Sequence, residues 1–303
     1  MLPPNIAIVG LGLMGGSLGL ALRKRSPKLR ITGISRSRQH IRDAIRKKMI
    51  TDGTTSLAEG VKSADLIVIA APVRMIPALV ATIDMFAKAG AVVTDVGSTK
   101  GEILKNIRRF HLKNVRFVGS HPMAGSHKTG LEAAEAHLYK GACVFVVREK
   151  NTNAKALSVI SSLWRTVGSH VKTVSAEEHD KIAASVSQLP HLIASALVNS
   201  VPAGALPFAA SGFRDTTRIA QGDPELWLDI IRTNRTNLIS ELNRFTQKLE
   251  QFVRMLKQDQ PKKLLKELTQ AKKIRSQIRA APTARHRRTK CPTGARPSGA
   301  PKI

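Results

Sequence analysis

Apolar residues in the first half of the chain come in short solid runs rather than in strict alternation. Ile6-Ala-Ile-Val9, Ile31–Ile34, Leu66-Ile-Val-Ile-Ala-Ala71, Val92–Asp95, Val115–Val118, Cys143–Val147 and Val171–Val174 each read as a strand buried on both faces. Between them the pattern shifts to helical spacing, over Gly16 to about Arg25, Gln39–Met49, Ile76–Phe86 and about Ala154–Val167. Thr99-Lys-Gly-Glu102 has the form of a capping box opening a further helix, with a hydroxyl and a carboxylate three residues apart. Strands alternating with helices imply a mostly parallel sheet covered on both faces.

From Ser175 the character changes. Ser175-Ala-Glu-Glu178 is a second capping box, and helical patterns follow over Ala183–Ser200, Pro224–Leu256 and Pro261–Ile278. Asp223 before Pro224 is a helix start with a capping side chain and a proline in the first helical position. Residues 1–174 therefore read as an α/β domain and 175–280 as an all-α domain. Residues 281–303, rich in Pro, Gly, Arg and Lys, read as a basic disordered tail. The apolar stretch Leu189–Ala210 is long enough to span a bilayer but holds Pro190, His191, Asn199, Pro202 and Pro207. It reads as buried helix and turn, and no membrane association is expected.

At 303 residues, 42% apolar and 23% charged, the composition is that of a globular protein. The charge changes the picture more. Lys and Arg number 49 against 21 acidic residues, a net +28, and from Arg254 onward 15 basic residues face 2 acidic ones. Such a balance favours anionic partners. No aromatic residues interleave the tail's basic ones, so nucleic acid is expected to bind there only non-specifically. Cys143 and Cys291 are the two cysteines, too few for a disulfide framework or a metal site. With no charged leader before the first strand, a cytoplasmic enzyme is the simplest setting.

The chemistry begins at Gly10-Leu11-Gly12-Leu13-Met14-Gly15, a Gly-x-Gly-x-x-Gly that follows a strand and opens a helix. In that context the first glycine allows the tight turn, the second lets the backbone approach a diphosphate, and the third lets helix pack on strand. Ala71 and Pro72, which close a neighbouring strand, complete the candidate dinucleotide site. The end of the second strand selects the dinucleotide. NAD enzymes place a carboxylate there for the ribose hydroxyls; here Ser35, Arg36, Ser37 and Arg38 follow. Guanidinium groups bind a phosphate bidentately, so NADP is expected, with NAD as the alternative.

Gly119-Ser-His-Pro-Met-Ala-Gly125 sits just past another strand, and Ser98 past its neighbour. A neutral His121 there can take a proton from a substrate hydroxyl as hydride leaves the carbon, with Ser98 orienting the ring. Spacing alone does not separate this from a histidine packing a turn before Pro122. In the helical domain, spacing favours a core role for His191 and an ion pair with Asp215 for Arg218.

These segments together resemble the prephenate/arogenate dehydrogenase family of tyrosine biosynthesis. The likeness runs from about Ile6 to about Leu256. It is carried by the glycine turn, Thr94-Asp-Val-Gly-Ser98 with Lys100, Gly119–Gly125, Leu189-Pro-His191, and Gly212-Phe-Arg-Asp-Thr-Thr-Arg-Ile-Ala220 with Pro224 and Trp227. The resemblance implies a Rossmann-type dinucleotide-binding domain followed by an all-α dimerisation domain, a homodimer, and a site in the cleft between the domains. It implies His121 as the catalytic base and Ser98 as the serine that orients it. It implies Arg218 as the arginine holding a substrate carboxylate and His191 as a histidine near the substrate side chain. No metal is implied. Prephenate and arogenate are not separated, although His191 leans toward prephenate. Gln188 stands where several relatives have His, His127 where they often have Glu, and Ala210-Ser211-Gly212 replaces a glycine run. Gating by an acidic partner of the arginine and inhibition by tyrosine are thereby left open. A base of this kind implies activity rising with pH near the free imidazole value, about 6.5. Two rivals are a β-hydroxyacid dehydrogenase, for which Lys181 is a poor catalytic lysine beside Glu178 and Asp180, and a basic nucleic-acid-associated Rossmann protein.

Overall fold

The computed structural model describes residues 2–125 and 128–278. His127, Cys291 and the 281–303 tail therefore lie outside the described residues. The chain begins with β1 (Asn5–Val9), α1 (Leu13–Arg25), β2 (Arg30–Ile34), α2 (Arg38–Arg46), β3 (Asp52–Thr54) and α3 (Leu57–Val61). It continues with β4 (Leu66–Ile69), α4 (Ile76–Phe86), β5 (Ala91–Asp95), α5 (Gly101–Ile107) and β6 (Val115–Phe117). These six strands form one parallel sheet in the order β3-β2-β1-β4-β5-β6, the doubly wound arrangement. All four residues of β4 are buried, as the solid apolar run requires of a central strand.

The later strands depart from the expected single sheet. β7 (Ser120–Pro122), β8 (Cys143–Val147) and β9 (His170–Val174) form a separate three-stranded sheet, with β7 antiparallel to β8. α6 (Ala154–Thr166) connects β8 to β9. His121 consequently sits on a strand, opposite Phe145, and not in a loop. β3 and α3 are too short for a periodic signal to show. The helix expected over Gln39–Met49 stops at Arg46, and Lys48 turns the chain with φ +57°.

The second domain is helical throughout its described residues. α7 (Ala176–Ala183) and α8 (Leu189–Ser200) run on through a π turn at Ala184–Gln188 as one 25-residue helix. Then come α9 (Ser211–Thr217), α10 (Pro224–Thr233), α11 (Arg235–Lys257) and α12 (Pro261–Gln277). Ser175 accepts from the Glu178 amide, and Asp223 from the Glu225 and Leu226 amides, as their caps require. The expected continuous helix over Pro224–Leu256 is broken at Asn234, whose side-chain amide turns inward to the Asp180 carbonyl and to Gln188 Oε1, each at 2.8 Å.

The Leu189–Ala210 stretch is less buried than expected. Leu189, His191 and Ala194 face the core, but Pro202–Phe208 is exposed and Phe208 is 85% accessible. By length and composition Ala176–Ser200 could cross a bilayer. Bonds through His179 and Asp180 tie it to the first domain.

Candidate active site

The turn from β1 into α1 lies at the carboxyl end of the sheet, where strand order reverses between β1 and β4. Open α/β sheets bind ligands in that crevice. Gly10 has φ +97°, and a Cβ there would meet the Ala70 carbonyl oxygen at 2.2 Å. Gly12 is the opposite case: a Cβ would meet nothing within 4 Å, and no side chain caps the helix it opens. A closed turn beside open space at a helix N-terminus fits a dinucleotide diphosphate. Leu11 is buried in the core, so only its main chain can face such a ligand. Met14 is fixed through its carbonyl, which accepts from the Tyr139 hydroxyl at 2.7 Å. Leu13 and Ala71 are half-buried and Pro72 is exposed.

At the end of β2 the side chains divide. Ser35 Oγ accepts from the Ser37 amide at 3.3 Å, and Ser37 Oγ caps α2 through the His40 amide at 3.2 Å. Arg36 and Arg38 are exposed, with no ion pair among the described residues.

His121 is buried, and its Nδ1 lies 2.8 Å from His179 Nε2. His179 Nδ1 in turn lies 2.8 Å from Asp180 Oδ1. The Asp180 carboxylate also accepts from the backbone amides of Lys100 and Gly101, each at 2.8 Å. This corrects the expected capping box. The start of α5 is closed by Asp180 from the other domain, because the Thr99 hydroxyl is engaged with Thr233 at 2.9 Å. Beneath lies a fully buried pair, Lys100 and Asp95. Lys100 Nζ also donates to the Ser120 carbonyl at 2.9 Å, and the Ser120 hydroxyl donates to the Asp95 carbonyl at 2.7 Å. Removing one member of such a pair strands the other's charge, at a cost of about 3–5 kcal/mol. The strand carrying His121 is thus fixed from below.

Burial holds His121 well below the ordinary imidazole value of 6.5, with His179 and Lys100 pushing the same way. The acid limb expected near 6.5 is therefore moved to lower pH, and burial favours the neutral ring. Burial also lowers His179, opposed by its bond to Asp180, and lowers the Lys100 ammonium, opposed by Asp95.

Ser98 is half-buried before α5 and makes no hydrogen bond to His121 among the described residues. His179, not Ser98, holds Nδ1. His179 and Asp180 escaped the sequence reading, since Glu177-Glu178-His179-Asp180 looks like a solvated helix start. Further along the same helix, His191 stacks on Trp227, with ring centroids 3.6 Å apart and planes 9° from parallel. Its Nδ1 is buried without a partner, and burial lowers its pKa. Arg218 is exposed and lines a cleft of about 490 Å³ with Phe213, Arg214, Thr217 and Gln221. The expected ion pair with Asp215 does not form among the described residues. Lys181 pairs with Glu177 at 2.6 Å on the surface, which removes it as a catalytic lysine.

Known proteins match this architecture closely. The family described as "Prephenate dehydrogenase, nucleotide-binding domain" matches residues 18–173, and "Prephenate dehydrogenase, dimerization domain" matches residues 175–270. The chain belongs to the prephenate dehydrogenase family. As a member of it, the chain is an NAD(P)-dependent oxidoreductase whose helical half is a dimerization domain. Prephenate dehydrogenase of Lactococcus lactis is 35% identical over 260 residues, covering 82% of this chain and 70% of its own. That of Bacillus subtilis is 32% identical over 281 residues, covering 89% and 75%. A solved prephenate dehydrogenase from A. aeolicus, in complex with hydroxyphenyl propionate and NAD+, aligns with a TM-score of 0.85 at 31% identity, covering 92% of this chain and 99% of that one.

Proposed function

We propose that the protein carries out the oxidative decarboxylation of prephenate to 4-hydroxyphenylpyruvate with NADP. Arogenate, which would give tyrosine, is the second substrate to test. The observation that supports this most is His121: a buried imidazole, neutral at working pH, with one ring nitrogen tied down and the other without a partner among the described residues.

The chemistry asks for little. Bound nicotinamide dinucleotide supplies the hydride acceptor. His121 takes the proton of the ring hydroxyl, and the carbon that loses hydride becomes a ketone. The bond to the ring carboxylate then breaks, CO2 leaves, and its electron pair makes the ring aromatic. The proton returns from His121 to the phenolic oxygen. Ser98 directs its hydroxyl at the substrate oxygen, Arg218 holds a carboxylate, and His191 lies near the side chain. Gly10–Gly15, Ala71 and Pro72 cradle the dinucleotide, and Ser35, Arg36 and Ser37 with Arg38 take the 2′-phosphate. The working unit is a homodimer.

Purified protein should reduce NADP at 340 nm with prephenate or arogenate and not with 3-hydroxy acids. His121→Asn should lose roughly 10²–10⁴-fold in kcat with KM kept. No reduction of either nucleotide with either substrate would overturn the assignment.

A further inference from the structure

Three ionisable side chains stand in line across the domain boundary, and with both imidazoles neutral their hydrogen bonds leave one consistent set of protons. Asp180 uses both oxygens as acceptors: Oδ1 takes the Lys100 amide and Oδ2 the Gly101 amide, at 2.8 Å each. A carboxylate so engaged has no donor to offer, so the 2.8 Å contact with His179 requires His179 Nδ1 to carry the hydrogen. A neutral imidazole has one donor and one acceptor. His179 Nε2 is then an acceptor, and the 2.8 Å contact with His121 Nδ1 requires His121 to donate. The lone pair of His121 is left on Nε2.

We propose that His179, held by Asp180, is a positioning residue that fixes the Nδ1–H tautomer of His121 and so places the basic lone pair on Nε2, toward the substrate. This rests on the reading of His121 as the base. The arrangement has a second effect. When His121 takes a proton, its new positive charge stays hydrogen-bonded through Nδ1–H to a ring that itself leans on an anion. The aspartate of a serine-protease triad steadies its histidine in the same electrostatic sense. Here a second imidazole lies between, because Asp180 also serves the α5 amides. The ring of His179 is set by packing too: Phe145 meets it edge-on, with centroids 5.4 Å apart.

The test needs no substrate. In full-length protein labelled with 15N-histidine, long-range 1H–15N spectra near pH 7.5 should show His121 and His179 both neutral and both protonated on Nδ1. His121 carrying its proton on Nε2 would overturn the proposal. His179→Gln offers an amide oxygen as substitute acceptor and should keep the His121 tautomer and most of the turnover. His179→Leu offers none. It should release the tautomer and lower kcat about 10- to 100-fold with KM for prephenate little changed. That loss is smaller than loss of the base, because a freed ring still visits the productive form. Full turnover in His179→Leu would also overturn it. His121→Asn with normal turnover would instead remove the base reading, and the wild-type spectrum would still decide the tautomer.

Discussion

At the scale of single residues, the proposed preference for NADP rests on Arg36 and Arg38. Both are exposed beside the cap of α2, without an acidic neighbour to neutralise them among the described residues. Replacing both with Ala should raise KM for NADP at least tenfold while leaving KM for NAD within about twofold, since a lost phosphate contact is worth about 1.5–3 kcal/mol. Equal effects on the two nucleotides in steady-state assays would refute the reading. The place of these arginines at the end of β2 was legible because they follow a solid strand directly. His121 was legible for the same reason. His179 was not, being 58 residues away in sequence among acidic neighbours that mark a helix start. The Thr99–Glu102 box misled because a cap pattern records only local chain. The carboxylate that closes α5 comes from 80 residues further on.

At the scale of elements, runs such as Leu66–Ile69 and Cys143–Val147 declared themselves through uninterrupted burial. Three-residue strands such as β3 and β7 did not, since no period fits in three positions. The π turn at Ala184–Gln188 was equally invisible, yet it sets the phase between His179 and His191. His179 and His191 are twelve residues apart, which in a plain α-helix puts them roughly 120° out of phase, at about 100° per residue. A π turn takes up one residue more than an α turn, which brings the two imidazoles back to nearly one face. Deleting Val186, the exposed residue in that turn, should restore α geometry and rotate α8 against α7. Turnover should fall at least about 100-fold while far-UV dichroism keeps its helical signal, on the footing that misplaced groups by about an ångström cost that much. Unchanged kcat would show the phase to be irrelevant.

At the scale of the whole molecule, burial holds three histidines among the described residues below their ordinary value, His121, His179 and His191. The unfolded chain binds protons on these rings below about pH 6.5 that the folded protein refuses. Stability from this source is complete above that pH and is lost as pH falls. Melting temperature should therefore drop between pH 7.5 and 5, before Asp65 and Asp84, both lowered from 3.8, begin to protonate. A flat melting temperature over that range would contradict the buried neutral rings. The helical domain of one chain also leaves Phe208, Leu228, Leu256 and Leu265 in solvent, and the family match names this half a dimerization domain.

Asp180 performs two duties with one carboxylate: it closes the first turn of α5 and it steadies His179. Parting the domains at this point would break the α5 cap and the His121–His179 bond together, while His179 and Asp180, neighbours on α7, would stay bonded. If His121 is the base proposed above, this joint is an interlock: the partner of its Nδ1 is in place only while the two domains meet. A dehydrogenase built this way would tie its chemistry to the contact between its two domains.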